Sequence, residues 1–218
     1  MEKNIAILIA DLSGYTALTE THGASAAADT IDRFMKIVSE SLVGKSEFHQ
    51  RVGDEVVIVS PSPDQLIETS IRLMQQSTLE NNFLQLHGGL HYGNILQSHN
   101  SYFGTTINIA SRIAAKANKG TIWCSKEFVN ALEAKHGFTF RSQGNHHFKN
   151  ISTENEMLEL QIEHAHSFSI DPVCRMRVHK REAVSHHSKD ILFCSSYCRD
   201  IYIGNNTNAS IISATHQW

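Results

Sequence analysis

No apolar run in this chain of 218 residues approaches the roughly 18 residues that a membrane-spanning helix needs. An excess of one charge is missing too. Against 22 Asp and Glu stand 19 Lys and Arg, a net charge of −3 with the histidines neutral. Such a balance lacks the basic field of a nucleic-acid binder. The N-terminus lacks the order of basic stretch, apolar stretch and small-residue cleavage site that marks a secretory leader, so a cytoplasmic location is expected. Cysteines are few, four in all. In a reducing compartment, grouped cysteines read as metal ligands before disulfides. What is present is enough apolar residue, 41%, for a sizeable core. The length suits one domain of about 150 residues and a smaller one.

Residues 5–10 are continuously apolar and stop at Asp11. That is the pattern of a central strand buried on both faces, with a carboxylate at its C-terminal end. Residues 24–43 carry Ile31, Phe34, Met35, Val38 and Leu42 at helical spacing, with Gly44 as the stop. Strands over 48–52 and 55–59 flank Gly53-Asp54, a hairpin signal. A helix over 64–76, a strand over 84–90 and a helix over 105–116 follow, then a strand over 121–125, a helix over 126–134 and weak strands near 138–140 and 157–160. The opening order predicts an α+β fold with a ferredoxin-like βαββαβ core. Composition then divides the chain into a domain over 1–163, a polar His-rich linker over 164–169, a cysteine module over 170–204 and a polar tail over 205–218.

In such a core, Asp11 and Asp54 can lie side by side. Clustered carboxylates repel one another unless a cation joins them. Hard oxygen ligands suit Mg²⁺ or Mn²⁺, with substrate phosphates completing the shell, and such a site suits phosphoryl transfer. Spacing alone leaves a plainer reading open, in which Asp54 serves the Gly-Asp turn and Asp11 caps a helix.

The surrounding motifs decide between them. Ala10-Asp11-Leu12-Ser13-Gly14-Tyr15-Thr16, Arg51-Val52-Gly53-Asp54-Glu55, Gly89-Leu90-His91-Tyr92-Gly93, the stretch from Phe103 to Arg112, and Gly120-Thr121-Ile122 resemble, in family order, the motifs of class III nucleotidyl cyclases. The resemblance implies a head-to-tail homodimer with each active site at the interface. Asp11 and Asp54 would bind two Mg²⁺ or Mn²⁺ ions, with the Leu12 carbonyl as an extra ligand. The ribose 3′-hydroxyl of a nucleoside triphosphate would attack the α-phosphorus in line, and pyrophosphate would leave. Asn108 would orient the ribose, and the planar fork of Arg112 would neutralise charge on the α-phosphate. Lys149 stands where the family often has a triphosphate-binding Lys-Gly; here the pair is Lys149-Asn150, and an exposed surface lysine is the other reading.

Base selection departs from the family pattern. The usual lysine four residues before the second metal aspartate is Gln50, and the usual aspartate three residues before the glycine of the helix motif is Ser101. Both side chains donate and accept hydrogen bonds. ATP is the default substrate, and GTP or a pyrimidine triphosphate stays open. A catalytically silent nucleotide- or metal-responsive regulator is the alternative function.

Asp171-Pro172-Val173-Cys174-Arg175-Met176 and Phe193-Cys194-Ser195-Ser196-Tyr197-Cys198 resemble the start and end of a YHS domain, a treble-clef-like metal module. Arg175 stands where that family commonly has glycine. Thiolates of Cys174, Cys194 and Cys198 suit Zn²⁺ or a softer ion. His179, His186, His187, water or an outside ligand could take the fourth position. Three buried thiols acting as small hydrophobes are the other reading. Cys124 reads as core.

Overall fold

The computed structural model describes residues 2–99, 101–148, 154–162, 168–186 and 190–214. The chain forms two compact units. One takes residues 1–13, 33–77 and 86–163; the other takes 14–32, 78–85 and 164–218. The cysteine segment thus shares a unit with two stretches that the sequence-based division placed in the larger domain.

The elements in chain order are β1 (Glu2–Ser13), α1 (Tyr15–Ser41), β2 (Glu47–Val52), β3 (Glu55–Ser60), α2 (Pro63–Leu79), β4 (Gln85–Ser98), β5 (Ser101–Phe103), α3 (Thr105–Lys116), β6 (Ile122–Ser125), α4 (Lys126–Asn130), β7 (Phe140–His146) and β8 (Asn155–Leu160). The large sheet runs β2-β3-β1-β4-β6-β8-β7, with β5 paired to β4. Its first four strands have the order expected of a ferredoxin-like core. Residues Ile5 to Ala10 are all at most 2% exposed, so β1 is buried on both faces, as its uninterrupted apolar run predicts.

Register places the functional positions. Ile9 pairs with Val57, and Val57 pairs with Gln50, in neighbouring strands. Ile5, Ile7, Ile9, Val57 and Val59 pack with Ala110 and Ala114 of α3 in one cluster. Asp11 follows Ile7 and Ile9 on the same face, because side chains alternate along a strand. The ladder slips at His49, between Phe48 and Gln50. This is a bulge of the kind that could redirect Arg51, but it lies before Gln50, so Gln50 and Val52 still share a face and Arg51 faces away.

Helix α3 lies directly on β4. A Cβ at Gly89 would sit 2.4 Å from the Ala114 nitrogen and 2.5 Å from the Ala110 carbonyl oxygen. Only glycine allows this approach. Two residues on, His91 is 5% exposed, and its Nδ1 lies 2.7 Å from Ser125 Oγ on β6. Ser125 Oγ also accepts the Phe128 N–H and so caps α4.

Several expectations are corrected. Helix α1 begins at Tyr15 rather than at residue 24, because a short helical segment precedes Gly23, whose non-helical backbone (φ 82°, ψ 174°) breaks the periodicity. Strand β4 runs to Ser98 rather than 90, since its later half pairs with β5. Three residues are too few for β5 to leave a periodic signature.

In the second unit, β9 (Phe168–Ile170) pairs with β10 (Arg177–His179), and β11 (Val184–Ser185) pairs with β12 (Leu192–Phe193). Helix α5 (Ser196–Ala214) follows, so the stretch expected to be a loose tail is helical as far as Ala214. The Arg177 N–H donates to the Phe83 carbonyl, 2.7 Å away, which attaches residues 78–85 to this unit. Among the described residues, no helix is long and apolar enough to cross a membrane.

Burial pushes the His91 imidazole down to about 4. A depressed histidine stabilises the fold above its unfolded value, and that contribution is lost as pH falls from about 6.5 through 4. The lost part is on the order of 3 kcal/mol. Thermal melts across this window should fall steeply for the wild type. They should flatten in His91→Gln, whose amide can still hydrogen-bond Ser125 but cannot charge.

Candidate functional site

Asp11 leaves the core where β1 ends, and Asp54 lies in the two-residue turn between β2 and β3. Asp11 and Asp54 are neighbouring carboxyls that influence one another's ionisation. Burial, then the Asp11 charge, pushes Asp54 up to about 6. Burial raises Asp11 as well, although the hydrogen bond from Asp54 and the Leu12 N–H pull it back. Glu55 is raised by burial and by Asp54. Without a cation both carboxyls are therefore held above the ordinary aspartate range, as half-buried neighbouring carboxylates are. A divalent ion would let both ionise, so the pair fits a hard cation.

Sequence reasoning missed His87 on β4. Its Nε2 is 3.7 Å from Asp11 Oδ2, and its Nδ1 is 2.8 Å from Ser13 Oγ. Burial lowers its basicity. The one signal in the sequence was a lone histidine in the strand that precedes the Gly89 motif, too common a feature to single out.

Asn108 and Arg112 are one turn apart on α3. Asn108 is exposed, while Arg112 Nε is buried without a hydrogen-bond partner. Among the described residues, Arg112 forms no ion pair with either aspartate. Gln50 is exposed on β2. Ser101 opens β5 and pairs with Ser98. Lys149 lies outside the described residues. A hollow of about 180 Å³ lined by Lys3, Lys45, Glu47 and Tyr102 opens beside Ile5, at the other end of β1 from Asp11, and has no part in this constellation.

In the second unit, the sulfurs of Cys174 and Cys194 are 3.5 Å apart, and so are those of Cys194 and Cys198. All are free thiols, since a disulfide needs about 2.0 Å. Asp171, fully buried, explains the Asp-Pro-Val-Cys start. Its carboxylate accepts the N–H groups of Val173 (2.7 Å), Cys174 (3.2 Å) and Cys194 (2.8 Å), and so holds both cysteine loops. Arg175, in place of the family's glycine, keeps a left-handed backbone (φ 68°), a strained state for a bulky residue. Of the histidines expected nearby, His186 packs edge-on against Tyr202 and His179 ends β10; neither joins the thiol group, and His187 lies outside the described residues. His22 lies there instead. Cys124 is fully buried in β6, as expected of core, and burial raises its thiol.

The model of the adenylate and guanylate cyclase catalytic domain matches residues 1–164. A pH-sensitive adenylate cyclase of Mycobacterium tuberculosis is 27% identical over 130 residues, 60% of this chain and 33% of that protein. An adenylate cyclase of Glutamicibacter nicotianae is 27% identical over 139 residues, 63% of this chain and 34% of that protein. The matched stretch thus spans about a third of these relatives' length. Among solved structures, the adenylyl cyclase CyaB from P. aeruginosa superposes with a TM-score of 0.63 at 18% identity, covering 76% of this chain and 97% of that one. The guanylate cyclase domain of RhGC from Catenaria anguillulae gives 0.60 at 14% identity, covering 75% and 99%. At such identities these two likenesses speak for the fold.

With divalent ions chelated, the Asp54 carboxyl should titrate near pH 6 in carbon-detected NMR. Asp11→Asn removes the neighbouring charge and should move that midpoint towards the ordinary aspartate range. An unmoved midpoint would show that the two carboxyls do not interact.

Proposed function

Because the chain belongs to the adenylate and guanylate cyclase catalytic-domain family, we propose that it converts a nucleoside triphosphate, ATP by default, to a 3′,5′-cyclic nucleotide and pyrophosphate. The observation that carries this reading is the pairing of Asp11 and Asp54, brought together where a fully buried strand ends beside the hairpin turn. Asp11, Asp54 and the Leu12 carbonyl would hold two Mg²⁺ or Mn²⁺ ions. When bound, such ions acidify the ribose 3′-hydroxyl and neutralise the triphosphate. The protein's own share is positioning and charge stabilisation, since the transfer leaves little covalent work for side chains. Asn108 orients the ribose. Arg112 donates to the α-phosphate, where charge builds, and its unpartnered Nε is a donor in want of an acceptor. Gln50 and Ser101 read the base, and Lys149 meets the triphosphate.

An Arg112 that makes no ion pair with either aspartate and keeps an unpartnered Nε supports a head-to-tail homodimer, in which each site takes its aspartates from one copy and Asn108 and Arg112 from the other. Apolar side chains left exposed on the hairpins, Phe48, Val52, Leu96 and Phe103, support a covered surface there. Residues 1–163 form the cyclase domain in this reading. Residues 170–204 form a YHS-type module that binds Zn²⁺ or another thiophilic ion through Cys174, Cys194 and Cys198.

Purified protein with Mn²⁺ should release pyrophosphate and form a cyclic product from one of ATP, GTP, CTP or UTP. Arg112→Ala should lower kcat by about 10²–10³, as the loss of one transition-state donor does elsewhere. Asp54→Ala should abolish turnover. Tight triphosphate binding without pyrophosphate release would replace this reading with that of a silent regulatory module.

A further inference from the structure

The thiol cluster has a fourth member from far away in sequence. His22 Nε2 lies 3.4 Å from Cys198 Sγ and 3.8 Å from Cys194 Sγ. The four ligand atoms all lie within 4.8 Å of one another. A tetrahedral zinc site with metal–sulfur bonds of about 2.3 Å and metal–nitrogen bonds of about 2.0–2.1 Å has sulfur–sulfur edges of roughly 3.8 Å and sulfur–nitrogen edges of roughly 3.6 Å. The observed edges of 3.5, 3.5, 3.8 and 3.4 Å fit that frame. No other group of three or more metal-ligating side chains among the described residues is so arranged.

We propose that His22 completes a closed Cys₃His site for Zn²⁺ with Cys174, Cys194 and Cys198. The proposal rests on reading these cysteines as metal thiolates, and it goes beyond that reading in naming the fourth ligand and the role. Four protein ligands leave no open position, so the ion is structural rather than catalytic. The surroundings are built for such an ion. Asp171 fixes the backbone of both cysteine loops, and Ser195 Oγ accepts the Cys198 N–H and lies 3.6 Å from Cys194 Sγ. Buried partners of this kind orient metal ligands. His22 is the last residue of α1 before the Gly23 break, so its ring projects from the end of a short helical segment. At the start of that segment, Gly14 leaves room for Arg175: a Cβ there would lie 2.5 Å from the Arg175 Cβ. The cysteine loop and the first turns of α1 are therefore packed together at one end and joined by the metal at the other. Metal binding becomes part of the folding energy of this unit.

The test uses the full chain, reduced and metal-free, titrated with Co²⁺ and then Zn²⁺. One ion per chain is expected, with the visible absorption of tetrahedral cobalt and displacement by zinc. His22→Ala should weaken zinc binding at least about 100-fold, beyond the 10–100-fold typical of a lost supporting partner. His22→Cys should restore tight binding and strengthen the sulfur-to-cobalt absorption by about a third, for four thiolates in place of three. Zinc-edge X-ray absorption of the wild type, which needs no variant, should count three sulfurs and one imidazole. Unchanged affinity and spectrum in His22→Ala, or a water oxygen in place of imidazole at the zinc edge, would overturn the role of His22 alone. A folded, reduced wild type that binds neither ion would overturn the thiolate reading as well. None of these outcomes bears on cyclase activity.

Discussion

Burial of β1 on both faces is the constraint on which the rest of the larger unit depends. Six consecutive apolar residues sit between β3 and β4, with helices over the sheet, and the strand has no solvent face on which a charge could sit. The first place for a carboxylate is therefore the point where the core stops, at Asp11. The adjoining hairpin, held in register by Val56, Val57 and Ile58 against β1, brings its turn to the same end. Asp54 meets Asp11 there, and burial, with the neighbouring charge added to it, raises Asp54.

Helix α3 depends on the same strand by a different route. Ala110 and Ala114 pack over Ile9 and Val57, and Gly89 lets the helix backbone approach β4 without a side chain between. Small residues at these points fix the rotation of α3. Asn108 and Arg112 are thereby kept off the packed stripe, where Ile113 is spent on the core. The stretch from Phe103 to Arg112 is thus in part a packing device, and its polar members are what remains for chemistry. His91 belongs to the packing side as well, as a neutral buried hydrogen-bonding residue between β4 and β6.

The chain carries two candidate metal-ligand sets of opposite character. Asp11 and Asp54 are hard oxygen donors, half-buried and able to take substrate phosphates as further ligands. His22 and the three cysteines are soft or borderline donors, a set that suits one thiophilic ion. Donor softness thus sets the two groups apart: Mg²⁺ suits the carboxylates and thiophilic ions suit the thiols.

By itself the sequence determined the central strand, the hairpin and α3, because each is announced locally, by an apolar run, a turn pair or a helical period, while Asp11, Asp54, Asn108, Arg112 and the three cysteines stood out as candidates only through the motifs around them. It also carried the family of residues 1–164. Only the tertiary structure decided that His87 stands beside Asp11 and that His22, 172 residues from Cys194, stands beside the thiols. It likewise decided that α1 is broken at Gly23 and that residues 14–32 and 78–85 belong with the cysteine segment. The physical reason is the same in each case. A single histidine on a strand or helix has no period and no fixed-spacing partner, so its role is set by which backbone segments the packed fold brings within reach of its ring.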